Sequence, residues 1–231
     1  MARPRVALII PTLNEEEAIG GVLAAVPRDA VDEIIVADSG SIDRTAERAR
    51  AGGARIVNES RRGYGRACHA GAEAAGDCDV LVFLDGDGSD RPELIPLLVA
   101  PIIEGRFDFV IGSRTRGRRE RGSMSAHQIF AGYAAGLALR LLYGARFTDM
   151  CPFRAIRRDA LEKLSMREET YGWNLEMQMK AARTGLRILE VPVNHRCRAG
   201  GVSKVSGTLH GTVVAGARIT ATFLRIAFQS G

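Results

Sequence analysis

Lysine is nearly missing from this 231-residue chain: only Lys163, Lys180 and Lys204 stand among its 32 basic residues, so arginine carries almost all the positive charge. Arginine is the residue that forks onto carboxylates and phosphates. No run of about 18 apolar residues occurs, so no membrane-spanning helix is expected. Cysteine is sparse. Cys68, Cys78, Cys151 and Cys197 have neither metal-ligand nor disulfide-framework spacing, and Met1 to Arg5 runs into a strand without a leader-like segment. A reducing cytoplasm is the expected location. Aromatics make up 6% and the net charge is +5, too little of either to point to nucleic acid. Mild basicity suits an anionic small molecule such as a nucleotide or a lipid phosphate.

What is present is a central stretch, Val80 to Leu84, five apolar residues bounded by Asp79 and Asp85. That pattern predicts a strand buried on both faces in a parallel sheet. It stops at Asp85-Gly86-Asp87, and ligands collect at the carboxyl ends of such strands. Two acids one residue apart repel each other unless a cation intervenes. Mg²⁺ or Mn²⁺ shared between a carboxylate and a diphosphate is the usual arrangement. A calcium loop of the EF-hand kind fails, because Asp90 and Pro96 stand where Gly and Glu are required.

Around this stretch, strands and helices alternate. Strands are expected at 5–10, 31–37, 55–58 and 107–111, with helices to about Val26 and over 43–51, 66–75 and 92–104. Asn14 reads as a helix cap with Glu17 three residues on. This rhythm predicts a doubly wound, mostly parallel sheet with right-handed crossovers. Four strand ends, at Asn14, Asp38, Asp85 and Arg114, would line one rim. Beyond 115 the rhythm breaks. Arg114 to Arg121 holds five arginines, 123–143 is an Ala/Gly-rich helix, 153–157 a strand, 173–184 a helix carrying Glu176, and 208–228 a last helix. One domain is expected, with residues 1–115 as the donor half and 116–231 as an irregular acceptor half. The two Ala/Gly-rich helices offer a face for a homodimer.

Four patterns in register resemble the family 2 glycosyltransferases of the GT-A fold: Pro11-Thr12-Leu-Asn14-Glu15, Val36-Ala-Asp38-Ser-Gly-Ser41-Ile-Asp43-Arg-Thr45, Asp85-Gly86-Asp87 and Thr148-Asp149…Phe153-Arg154. The last resembles the polyprenyl- and dolichyl-phosphate sugar transferase branch, without that branch's transmembrane tail. The resemblance implies that Pro11, Glu15 and Asp38 border the base and ribose, that Asp85 sits on the ribose side of the donor, that Thr12, Asn14 and Gly86 also bind the nucleotide-sugar, and that Asp87 binds the metal. Arg66 and Arg114 would meet the phosphates, Asp149, Trp173 and Glu176 the sugar and acceptor, and Ser203-Lys204 a closing loop. Asp149, Glu176 and Arg114 are the catalytic candidates. Ordinary structural roles compete at several of these positions: Trp173 as core, Glu176 as an outward helical acid, and His127, His195 and His210 as structural.

Three departures stand out. Ala37-Asp38 replaces a pair of acids, Pro152 replaces a Gly, and helix 123–144 lacks an Arg/Ser face for a polyprenyl phosphate. The expected activity is metal-dependent, inverting transfer of a hexose, glucose or mannose, from a UDP- or GDP-sugar. The acceptor would be a lipid phosphate met peripherally at the inner membrane face, or a small soluble alcohol. A nucleotidyltransferase is opposed by the lack of a Gly-rich basic loop after the first strand. A non-catalytic nucleotide-sugar-binding module would bind the donor without turnover.

Overall fold

The computed structural model describes residues 3–200 and 209–228, the side chains of 209–215 excepted. Ser203 and Lys204 therefore lie outside the described residues. Seven strands form one mixed sheet in the order β3-β2-β1-β4-β6-β5-β7. They are β1 (Val6–Thr12), β2 (Glu33–Asp38), β3 (Arg55–Asn58), β4 (Val80–Phe83), β5 (Phe109–Ser113), β6 (Arg154–Arg157) and β7 (Ile188–Pro192). The helices are α1 (Ile19–Ala24), α2 (Thr45–Ala51), α3 (Tyr64–Ala74), α4 (Ile95–Ile103), α5 (Ala126–Tyr143), α6 (Arg158–Leu164), α7 (Trp173–Arg183) and α8 (Leu209–Phe228). A 3₁₀ turn at Pro92–Leu94 precedes α4, with proline at its first position.

The centre is where the apolar runs predict it. Val6 to Ile10 and Leu81 to Leu84 are buried, and β1 pairs in parallel with β2 on one side and β4 on the other. Helix α3 packs on β1 and β2, and α4 on β4, β5 and β6.

One strand breaks the parallel order. β6 pairs antiparallel with both β4 and β5 and so lies between them. Because it runs the other way, it begins at the rim where the other strands end. The segment leading into it is thereby delivered to that rim, and Asp149 with it. Close approach of α5 fixes this segment. A Cβ at Gly136 would stand 2.0 Å from the Phe147 carbonyl, and one at Gly132 3.5 Å from the Asp149 Cα. At Gly136 only a residue without a Cβ lets the helix backbone come so near, whereas the distance at Gly132 is an ordinary contact.

Asn14 does not cap a helix. It takes a left-handed φ of 52°, and α1 begins only at Ile19 without a side-chain cap. Its side-chain oxygen instead accepts the Ile42 amide at 2.9 Å, and its own amide donates to Ser41 Oγ at 2.8 Å. The residue ties the end of β1 to the end of β2.

Candidate active site

The loop after β4 carries three aspartates in six residues. Asp90 turns back to accept the Asp85 amide at 3.1 Å. Asp87 Oδ1 accepts the Ser89 amide at 2.9 Å and the Ser89 hydroxyl at 2.6 Å. Its second oxygen, Oδ2, lies 3.8 Å from Arg198 Nη1. Asp85 Oδ1 and Asp90 Oδ1 are buried with no hydrogen-bond partner. Burial, then the charges of Asp87 and Asp90, push the Asp85 carboxyl well above the usual range. Unpartnered carboxylate oxygens next to like charge are costly unless a ligand completes them. Gly86 lets this loop lie flat on β1, since a Cβ there would stand 2.8 Å from Thr12 Cγ2.

These oxygens fit a hard divalent cation. Among the described residues no three His, Cys, Asp or Glu side chains form a metal-holding group. Two acids, Asp85 and Asp87, line the cleft, which matches an ion held by one or two carboxylates and completed by phosphate oxygens, the habit of Mg²⁺ and Mn²⁺.

A strap of backbone crosses the acid loop. Ala199 N donates to the Asp87 carbonyl at 2.9 Å, Arg196 N to the Ser89 carbonyl at 3.0 Å, and Arg196 Nε to the Gly88 carbonyl at 2.6 Å. The strap places Arg198 Nη2 3.0 Å from each carboxylate oxygen of Glu15. It also places His195 Nδ1, buried and without a hydrogen bond, 3.7 Å from Asp90 Oδ1. Sequence reasoning singled out neither Arg198 nor His195 as functional. The available signal was the run His195-Arg-Cys-Arg198 between a strand and a Gly-Gly pair.

Arg114 follows β5 and meets Asp149 in a two-pronged pair. Nε and Nη2 each donate to a carboxylate oxygen at 2.8 Å, and the Arg114 amide adds a third bond at 2.9 Å. Asp149 also accepts the Met150 amide at 2.7 Å. Burial alone would raise the Asp149 carboxyl; Arg114 and these amides more than offset it, and the group is held below its usual range. The same pairing raises Arg114 against a burial that would lower it.

Asp85, Asp87, Arg114 and Asp149 line one cleft of about 780 Å³, together with His195, Arg198, Tyr64 and the first turn of α5. Beside the cleft, and not lining it, the ends of β1 and β2 are tied together: Asp38 accepts Thr12 Oγ1 at 3.2 Å and the Ser41 amide at 2.9 Å, and the Glu15 amide donates to Thr45 Oγ1 at 2.8 Å. Pro11 is buried in β1. Thus Thr12, Asn14, Glu15 and Asp38 form one hydrogen-bonded patch at the ends of β1 and β2, joined to the cleft through Arg198.

Three expected site residues lie elsewhere. Trp173 is buried and packs edge-on against His69 and Phe83, beside a separate small cavity. Glu176 is buried as well. It accepts the amides of Arg167 and Glu168 and pairs with Lys180 Nζ at 2.9 Å, because the loop before α7 folds back over the helix start. Arg66 pairs with Glu169 and is not among the cleft-lining residues. Spacing along α7 and α3 does not reveal which face meets that loop.

Comparison with known proteins fits this geometry. Residues 7–165 match the glycosyl transferase family 2 profile. The dolichyl-phosphate hexose transferase of Haloferax volcanii is 38% identical over 200 residues, covering 84% of either chain. The undecaprenyl-phosphate mannosyltransferase of Micrococcus luteus is 34% identical over 224 residues, 91% of each. Among solved structures, the glucosyl-3-phosphoglycerate synthase of Mycobacterium tuberculosis, in complex with Mn²⁺, UDP and glucosyl-3-phosphoglycerate, superposes with a TM-score of 0.78. It shares 27% identity and covers 99% of this chain and 81% of that one. The acid loop at the middle of the sheet and the match along most of its length agree: the chain belongs to glycosyltransferase family 2.

Proposed function

We propose that the protein transfers a hexose, glucose or mannose, from a UDP- or GDP-sugar to a polyprenyl phosphate, with inversion and with a bound Mg²⁺ or Mn²⁺. The observation that carries this reading is the acid loop: Asp85, with its orphaned Oδ1, and Asp87 line the same cleft as Arg114 and Arg198. Asp87 would hold the cation, with Asp85 beside it. The cation's role is to neutralise the charge that develops on the departing nucleoside diphosphate. Arg198 lies where it can share that charge, and the patch at Thr12, Asn14, Glu15 and Asp38 would seat base and ribose. Residues 1–115 supply most of the donor side, joined there by Arg198, and the rest of the chain the acceptor side.

The state of the two candidate bases favours a phosphate acceptor. Asp149 is locked to Arg114 and Glu176 is enclosed by backbone amides. A hydroxyl acceptor needs a general base within reach. A phosphate is already an anion and needs none. The dolichyl- and undecaprenyl-phosphate relatives support the same choice.

The test is a transfer assay with labelled UDP-glucose and GDP-mannose, Mn²⁺, and undecaprenyl phosphate in detergent. Labelled lipid and free nucleoside diphosphate are expected, and both should vanish in EDTA. Turnover that persists in EDTA would overturn the metal reading. A second reading is transfer to a small phosphorylated acceptor, favoured by the likeness to the phosphoglycerate-glucosylating enzyme. A water-soluble labelled product with 3-phosphoglycerate, and none with the lipid, would establish it instead.

A further inference from the structure

Helix α5 is built the wrong way round for a surface helix. Its inward face is Gly132, Gly136 and Leu139, which lie against the segment bearing Asp149. Opposite them, at spacings of three, four and four residues, stand Phe130, Tyr133, Leu137 and Leu141, exposed by 75%, 50%, 59% and 78%. These positions fall within one face of a 3.6-residue helix. Arg140 is the only charged residue among the 18 of the helix. An apolar stripe of this kind on a soluble surface marks an interaction site.

Charge decides what covers it. Between Arg114 and Arg146 there are seven arginines and a single acid, Glu120. Arg114 and Arg116 have carboxylate partners. Arg118, Arg119 and Arg121 before the helix, Arg140 on it and Arg146 after it are in no ion pair among the described residues. A second copy of the same face would set these cations against their own kind. A bilayer containing anionic lipid would pair them while it took up the apolar stripe, which is how interfacial helices bind. The helix is too short and too weakly apolar to cross, since no described helix is long and apolar enough for that.

We propose that the outward face of α5 docks the protein on an anionic bilayer, with Phe130, Tyr133, Leu137 and Leu141 in the headgroup boundary and the flanking arginines on lipid phosphates. The proposal deepens, and rests on, the lipid-phosphate reading of the acceptor. The first turn of α5, through Ser125, His127 and Gln128, lines the cleft. A helix lying in the lipid surface therefore brings the mouth of the cleft to the level of the headgroups.

The test is flotation with vesicles of equal parts phosphatidylcholine and phosphatidylglycerol, against phosphatidylcholine alone. Wild type should float with the anionic vesicles and be released by high salt. The pair Phe130→Ser with Leu141→Ser should bind roughly tenfold more weakly or worse. Its melting temperature, and the shift given by UDP with Mn²⁺, should match wild type. Arg140→Glu with Arg146→Glu should weaken binding to anionic vesicles only. Wild type that stays unbound, or light scattering that shows a dimer which the serine pair converts to a monomer, overturns the proposal. Transfer to undecaprenyl phosphate in detergent is scored separately. Transfer without flotation removes the docking face but keeps the acceptor; flotation without transfer keeps the docking face and removes the acceptor.

Discussion

At the amino end of the sheet, Asp32 accepts the Val6 amide at 2.8 Å and pairs with Arg3, and Asp79 accepts the Arg5 amide at 2.7 Å. Asp108 there accepts the Arg187 amide and its Nε at 3.0 Å each, with Arg157 Nη1 at 3.1 Å. Arg187 and its neighbours hold the Asp108 carboxyl down at about 2. At the carboxyl end of the same sheet, Asp85, Asp87 and Asp90 crowd together, two of them with an orphaned oxygen, and Asp85 is pushed up instead. The residue type and the framework are shared; what differs is whether the partner is part of the chain. One rim spends its carboxylates on holding strands in place. The other leaves them incomplete, which is tolerable where a cation and a diphosphate supply the missing charge. Asp149 is the exception at the ligand rim, since Arg114 completes it internally as fully as any pair at the other end.

Substitutions at the two rims should therefore separate activity from stability. The largest effect is expected from Asp87→Ala. Transfer should fall about 10³-fold, comparable to or beyond the loss of an electrostatic transition-state group. The melting temperature of the metal-free protein should change little, because the two Ser89 bonds lost are offset by the repulsive charge removed. Nucleoside diphosphate release and a thermal melt read the two together, and a variant that melts lower with its activity intact would break the comparison.

Next is Arg114→Ala, which strands a buried carboxylate. A loss of about 3 kcal/mol in urea unfolding is expected. Arg114→Lys should recover only part of it, since lysine cannot make the two-pronged contact. If both variants unfold like wild type, Arg114 belongs with the ligand-completed groups rather than with the internally paired ones.

Asp108→Asn at the amino rim should cost about 1–2 kcal/mol of stability and leave the transfer rate unchanged. A change in rate would show that the rims are not independent.

The smallest effect is the pH dependence of that loss. A carboxyl whose folded value lies below its unfolded value of roughly 3.9 stabilises the fold above that value. The contribution fades as pH falls toward the folded value, about 2 for Asp108. The gap between wild type and Asp108→Asn should thus be full at pH 6 and shrink below pH 4. Urea midpoints across that range measure it, and a gap that widens in acid would reverse the assignment.

Much of this was legible before any coordinates. The apolar run at Val80 to Leu84 becomes the buried β4, and the strand ends at Asn14, Asp38, Asp85 and Arg114 do share one rim. These signals are local: periodicity, glycine and the residue that stops a run. The insertion of β6 between β4 and β5 was not legible, because pairing across the sheet leaves no mark on four residues. Nor was the fate of Glu176 and Trp173. A helix shows which residues share a face, not which loop will cover that face. Asn14 looked like a cap because Asn caps many helices, yet its left-handed backbone turns it toward Ser41 and Ile42.

The sequence by itself determined that alternating strands and helices would end in acids and arginines at one edge, since burial of apolar runs leaves polar residues to the turns. Only the tertiary structure decided which of those charges are answered from within the chain. A charge's energy depends on distance and burial, and these are set by segments far away in sequence: 149 returning to 114, and 198 returning to 15 and 87.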